Sequence, residues 1–243
     1  MAITLSCIEE EHKVLPPRII LYGPPGIGKT TWSTSAPSPV VIRTEDGLGL
    51  IKVPAFPLAT KLLDVVEALH SLTHEEHGFK SVVIDSLDWL EPLIWKEVAE
   101  KAGKKSIEDI GFNKGYKEAV DLWRYYIYLL DVLREKKRMF IIQTAHSVVR
   151  RFDAPDVNPY DRYELKMHPL ASALLTEWAE AVLFVNYQVV SVATGKGFNE
   201  TQQGRGDGKR ILYAEQRPAF LAKNRIGLKS ELPFSWESIG GGK

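Results

Sequence analysis

The chain has 243 residues and a single cysteine, Cys7, which excludes internal disulfides and a cysteine-based structural zinc site. It has no excess of either charge. Lys and Arg number 31 and so do Asp and Glu, so nucleic-acid contact would have to come from local patches rather than net charge. No apolar run approaches the length needed to cross a bilayer, and no internal repeat is present. The N-terminal MAITLSCIEEEHK lacks a basic segment followed by an apolar one. These absences predict no secretory signal, no membrane association and a cytoplasmic protein.

What remains is ordinary for a globular chain, with 44% hydrophobic and 26% charged residues, enough to bury one substantial core. The expected organisation is an N-terminal extension (1–16), one domain (17–239) and a Gly-rich tail (240–243). Short apolar runs alternate with longer helical stretches, the pattern of an α/β fold with a mostly parallel central sheet flanked by helices. RIILY (18–22), VVI (40–42), SVVID (81–85) and MFIIQ (139–143) lack polar alternation, as strands buried on both faces do. KTTWSTSA (29–36), TKLLDVVEALHSL (60–72) and residues 116–137 read as helices. The Trp and Tyr residues of 116–137 are expected to pack rather than form a ligand cage. Toward the C-terminus a helix runs into a strand, a glycine-rich loop follows at 194–210, and ILYAEQ and FLAKNR read as antiparallel hairpin partners.

GPPGIGKT (23–30) matches G-x-x-x-x-G-K-[ST] between a strand and a helix. In that context Gly23, Pro24, Pro25, Gly26, Ile27, Gly28, Lys29, Thr30 and Thr31 would wrap phosphates with backbone N–H groups. Lys29 would reach the outer phosphates and Thr30 would offer a hydroxyl to Mg²⁺. The alternative is a plain glycine-rich turn. Asp85, ending SVVID, is placed to hold the same Mg²⁺. Many P-loop ATPases follow this Asp at once with a catalytic Glu, but Ser86 stands here. The water-activating base must come from elsewhere, and Glu45 in VVIRTEDG (40–47), more than Asp46, is the candidate. NKGY (113–116) starts like a guanine-reading N-K-x-D but has Tyr116 in place of the acid, so ATP is the expected nucleotide.

GPPGIGKTT, VVIRTEDG, VVIDS without a following Glu, and AKNRIG together resemble the RecA-like P-loop ATPases of the phage type, which include single-strand annealing proteins of phage recombination. Where that family often has an acid two residues before the catalytic Glu, this chain has Arg43. Lys223 and Arg225, two positions apart on an expected strand, would face one way, either around an anion that relieves their repulsion or as a solvated basic edge. The resemblance implies that anion: a Lys-x-Arg pair on a late strand reaching the ATP site of a neighbouring subunit. Self-association as a ring or filament follows. Gln143 resembles the family's sensor glutamine, and His146 can also sit near phosphate or water.

The stretch 147–168 reads as a long polar loop mixing Arg150, Arg151, Arg162 and Lys166 with Phe152, Tyr160 and Tyr163. Cations that follow phosphates and rings that stack on bases are the combination that holds single-stranded DNA. A plain surface excursion is the other reading. Residues 103–117 and 196–210 are weaker candidates for the same contact. The sequence thus predicts a DNA-stimulated ATPase of recombination or annealing. A monomeric P-loop small-molecule kinase and a nucleotide-gated scaffold with little hydrolysis stay open beside it.

Overall fold

The computed structural model describes residues 14–240, apart from positions 154, 156, 157, 189, 195–200 and 207. Most of the expected extension (1–16), including Cys7, and tail positions 241–243 lie outside the described residues, as does much of the 196–210 candidate.

Five strands run parallel in the order β2 (Pro39–Arg43), β3 (Ser81–Asp85), β4 (Phe140–Phe152), β1 (Arg18–Gly23) and β6 (Ala181–Tyr187). β4 therefore lies between the strand that feeds the glycine loop and the strand that ends in Asp85. β9 (Arg210–Tyr213) joins the far edge of β6 antiparallel, and β11 (Glu231–Pro233) follows it. The expected mostly parallel sheet with antiparallel strands near the C-terminus is what forms. Val/Ile runs fill the central strands because both faces are covered. Ile20, Tyr22, Val82 and Ile84 face one apolar cluster, while Ile19, Leu21 and Val83 face the other.

α2 (Leu62–His74), α3 (Leu87–Lys101), α4 (Lys114–Lys137) and α5 (Pro169–Trp178) carry residues of the first cluster. The short α1 (Lys29–Ser33) and Trp236 belong to the second. On α4, Trp123 and Tyr126 are fully buried, so its aromatics are packing residues as the spacing predicts, with Tyr125 and Tyr128 left outward. At the lower end of the sheet Arg134 of α4 donates to both Glu180 oxygens at 2.9 Å, and Arg18 pairs with Asp131 at 3.1 Å.

Two expectations change. Residues 147–168 are not a loop: β4 continues to Phe152 and pairs antiparallel with β5 (Tyr160–Leu165), forming a ribbon beyond the sheet. The cross-strand pair of Phe152 against Tyr160 stabilises it, and within β5 Arg162 donates to Glu164. Likewise ILYAEQ and FLAKNR are not partners of one another. β9 and the two-residue β10 (Lys223–Asn224) both pair with β6, one beyond the other.

Glu91 of α3 accepts from the backbone N–H of His168 through both oxygens, at 3.0 and 2.9 Å, which fixes α3 to the start of α5. Burial pushes its carboxyl up to about 7, against the opposing pull of the His168 N–H and Arg150. The folded chain then keeps a proton that the unfolded chain has released between about pH 4.5 and 7, so stability falls as pH rises through that window, by about 3 kcal/mol. Glu91→Gln keeps an acceptor and removes the titration. In melts at pH 5 to 8.5 its stability should be flatter than that of the parent chain and should exceed it above pH 7. Parallel profiles would show that Glu91 does not titrate there.

Candidate nucleotide site

β1 ends at Gly23 beside β6, where a Cβ would strike the Val185 carbonyl oxygen. The chain then turns through Gly26 (φ 72°) and Gly28 (φ 102°), conformations that L side chains rarely adopt, and enters α1 at Lys29. Lys29 Nζ donates to the carbonyls of Gly23 and Pro24, both at 3.1 Å. Burial holds its ammonium below the ordinary lysine range, while Asp88, Asp85 and Glu45 oppose that shift.

Thr30 Oγ1 donates to Asp85 Oδ2 at 2.8 Å, and Thr144 of β4 donates to Asp85 Oδ1. Glu45 lies just past β2, where Ser86 Oγ donates to its Oε2 at 3.0 Å. Arg43 faces away, donating to the Phe56 carbonyl at 3.1 Å. His146 receives two contacts from one carboxylate: its backbone N–H donates to Asp88 Oδ1 at 3.0 Å, and Nδ1 lies 2.8 Å from Oδ2. Burial alone would raise the Asp88 carboxyl, but these contacts hold it below the usual range.

Gly26, Gly28, Lys29, Thr30, Thr31, Glu45, Asp85 and His146 line one cavity of about 240 Å³. Its contents suit a triphosphate with a divalent cation. The glycines leave room for phosphate oxygens, Lys29 brings a cation, and the Thr30 hydroxyl beside the Asp85 carboxylate is a hard oxygen pair of the kind Mg²⁺ takes.

A second cavity of about 160 Å³ shares Gly28 and Thr31 and adds Trp32, Arg210, Phe234 and Trp236. Arg210 Nη1 donates to the Ile27 carbonyl at 2.8 Å, and its guanidinium lies 5.2 Å from the Phe234 ring centre. Sequence reasoning missed both residues. Arg210 sits in a stretch read as a candidate DNA contact, yet it faces the glycine loop. The only local signal was a cation directly before an apolar strand.

Other expected site residues lie elsewhere. Gln143 is fully buried, with Tyr126 Oη donating to its Oε1 at 2.7 Å, so it faces α4 and not the phosphates. His146 occupies the cavity instead. Lys223 and Arg225 do not extend from one strand face, because β10 ends at Asn224. Lys223 is opposite Val182, three residues before Val185 and about 10 Å from the level of the glycine loop. Its Nζ donates to the carbonyls of Thr176 and Glu177 at the end of α5, at 2.9 and 2.5 Å. Arg225 is exposed, and its side chain has no polar partner among the described residues.

On the ribbon, Arg151 lies 3.3 Å from Asp153, Arg162 bonds Glu164, and Arg150 donates to the Met167 carbonyl at 2.6 Å. Tyr160 packs on Phe152 and Tyr163 on Phe184. Lys166 is exposed without a side-chain partner among the described residues.

A buried strand opening into this glycine loop, faced by an Asp at the end of the next strand but one, places the chain in the P-loop class of nucleotide-binding proteins. Within that class it belongs to the AAA domain family, which matches residues 15–226. The crystal structure of the RadB recombinase resembles it with a TM-score of 0.46 and 14% identity over 86% of each chain. No curated relative matches the sequence.

Gly28→Ala tests the loop. A side chain there adopts a left-handed conformation at a cost of about 1–2 kcal/mol, and its Cβ would come within 2.6 Å of Arg210 Nη1. The variant should melt a few degrees lower and lose affinity for a fluorescent nucleotide. Unchanged affinity would show that this loop does not hold the phosphates.

Proposed function

We propose that this protein hydrolyses ATP with Mg²⁺, assembles with copies of itself as a ring or filament, and acts on single-stranded DNA in recombination or annealing of the phage type. The observation that carries the hydrolysis is the Asp85 carboxylate held between Thr30 and Thr144, with Glu45 fixed across the same cavity by Ser86. A bound Mg²⁺ would supply charge neutralisation at the outer phosphates. Thr30 and Asp85 would hold it. Lys29, on exchanging its two carbonyl partners for phosphate oxygens, would neutralise further charge. Glu45 would orient a water and take its proton at a carboxylate oxygen, with the Ser86 hydroxyl fixing the other oxygen.

Glu45→Gln keeps the size and the hydrogen bond of this side chain and removes the base. Turnover should fall 100-fold or more, while a titration with fluorescent ATP should give an unchanged Kd. Loss of binding as well would make Glu45 a structural residue.

The sequence resemblance supports self-association and DNA. Of the Lys-x-Arg pair, Arg225 is the member free to enter a neighbour's site, since Lys223 would first have to leave the end of α5. Arg225→Ala should abolish any rise in rate per protomer with protein concentration and reduce the plateau by about 10³. A parent rate independent of concentration would favour a monomeric kinase instead, and a negligible rate with tight ATP binding would favour a scaffold.

A further inference from the structure

A cavity of about 510 Å³, roomier than the phosphate site at about 240 Å³, lies apart from it. It opens between the first turns of α3 and the root of the β4–β5 ribbon, where Lys166, Met167 and His168 lead into α5. Its volume is within the ordinary range for ligand sites.

Three features of its lining belong to one chemistry. Aromatic surface comes first: Trp89 is 52% exposed, and Trp95 stands edge-on to Tyr116, which stacks on His168 at 4.3 Å. An exposed tryptophan beside such a wall is a stacking platform without a partner. Cations come second. Lys166 is exposed, and Arg150 is anchored by one donor to the Met167 carbonyl, with Glu164 only at 3.9 Å. The acids come third, and they are engaged. Both Glu91 oxygens accept from His168 N–H, and both Asp88 oxygens are taken by His146. The cavity therefore offers a flat apolar face beside two available positive charges.

We propose that this cavity takes one nucleotide of a single-stranded DNA, its base lying on Trp89 and its phosphate between Arg150 and Lys166. A duplex hides the faces of its bases, and an acidic peptide has no use for the aromatic wall, so a single strand meets all the chemistry present. The inference deepens the DNA reading above and rests on it. It also supplies a physical route to the nucleotide. Asp88 lines this cavity and holds His146, which lines the phosphate cavity, so one hydrogen-bonded pair links the walls of the two sites.

Fluorescence anisotropy of a labelled oligothymidine tests this on the full chain, with melts confirming that each variant is folded. Trp89 and Lys166 are exposed, so their replacement should spare the fold. Trp89→Ala should weaken binding about tenfold. Lys166→Ala should lower the slope of log affinity against log salt by about 0.7. If the parent chain binds the oligonucleotide and both cavity variants match it in affinity and salt slope, the strand lies elsewhere and this inference is overturned while the DNA reading stands. If the parent chain does not bind at all, both fall.

Discussion

Asp85 is the point from which the site is built. Its side chain accepts from Thr30 on α1 and from Thr144 on β4, and its backbone carbonyl accepts from the N–H groups of Thr44 at 2.9 Å and Glu45 at 3.2 Å. One residue at a strand end thus sets the glycine-loop helix, the central strand and the segment carrying the candidate base relative to one another. A polar group buried at this depth is tolerated only with such partners. The two side-chain bonds that locate α1 and β4 also lower the cost of burying the carboxylate.

The strand order extends this control outward. Because β4 lies between β1 and β3, its Thr144 meets Asp85 and its His146 lines the phosphate cavity. The same strand continues without interruption into the ribbon that forms one wall of the 510 Å³ cavity. A shift of β4 by a fraction of an ångström would be felt at both places, since packed strands and helices move as units rather than deform continuously. The lower end of the sheet has the opposite character. There Arg18 and Arg134 share Glu180 while Arg18 also meets Asp131, so removal of Glu180 would leave the buried Arg134 guanidinium without a carboxylate.

Those parts of the site that depend on local pattern were legible in the sequence. The glycine loop, Asp85 at the end of an apolar run, the central strands and the long helix α4 all follow from periodicity and turn chemistry. What escaped depended on contacts between distant segments. In FIIQTAHS the apolar run stops at Ile142, so Gln143 looks like the first polar residue at a strand end. The strand in fact continues ten residues further, and Gln143 is a core residue whose amide oxygen meets Tyr126. Polarity gave the wrong end of the strand because a hydrogen-bonded pair in the core reads, in one dimension, like an exposed residue. The Lys223 and Arg225 spacing failed for a similar reason. The period-two rule applies only while the strand lasts, and here an Asn224 side chain accepting from Ile226 and Leu228 turns the chain at once. Arg210 could not be assigned at all, because the loop it touches lies 183 residues away.

The polar contacts within the phosphate cavity also determine how binding there must proceed. Lys29 already has two carbonyl acceptors, and Thr30 already donates to Asp85. A triphosphate with its cation would not add hydrogen bonds to unused groups; it would exchange existing ones. Exchange of partners has a small net free energy per bond, on the order of 1 kcal/mol, so affinity must rest on charge: an ammonium held in a buried setting gains more from phosphate than from neutral carbonyls. The exchange also releases one Asp85 oxygen from Thr30 while the other stays with Thr144. The bond to Thr144 would then keep Asp85 tied to the central strand whichever partner its other oxygen takes.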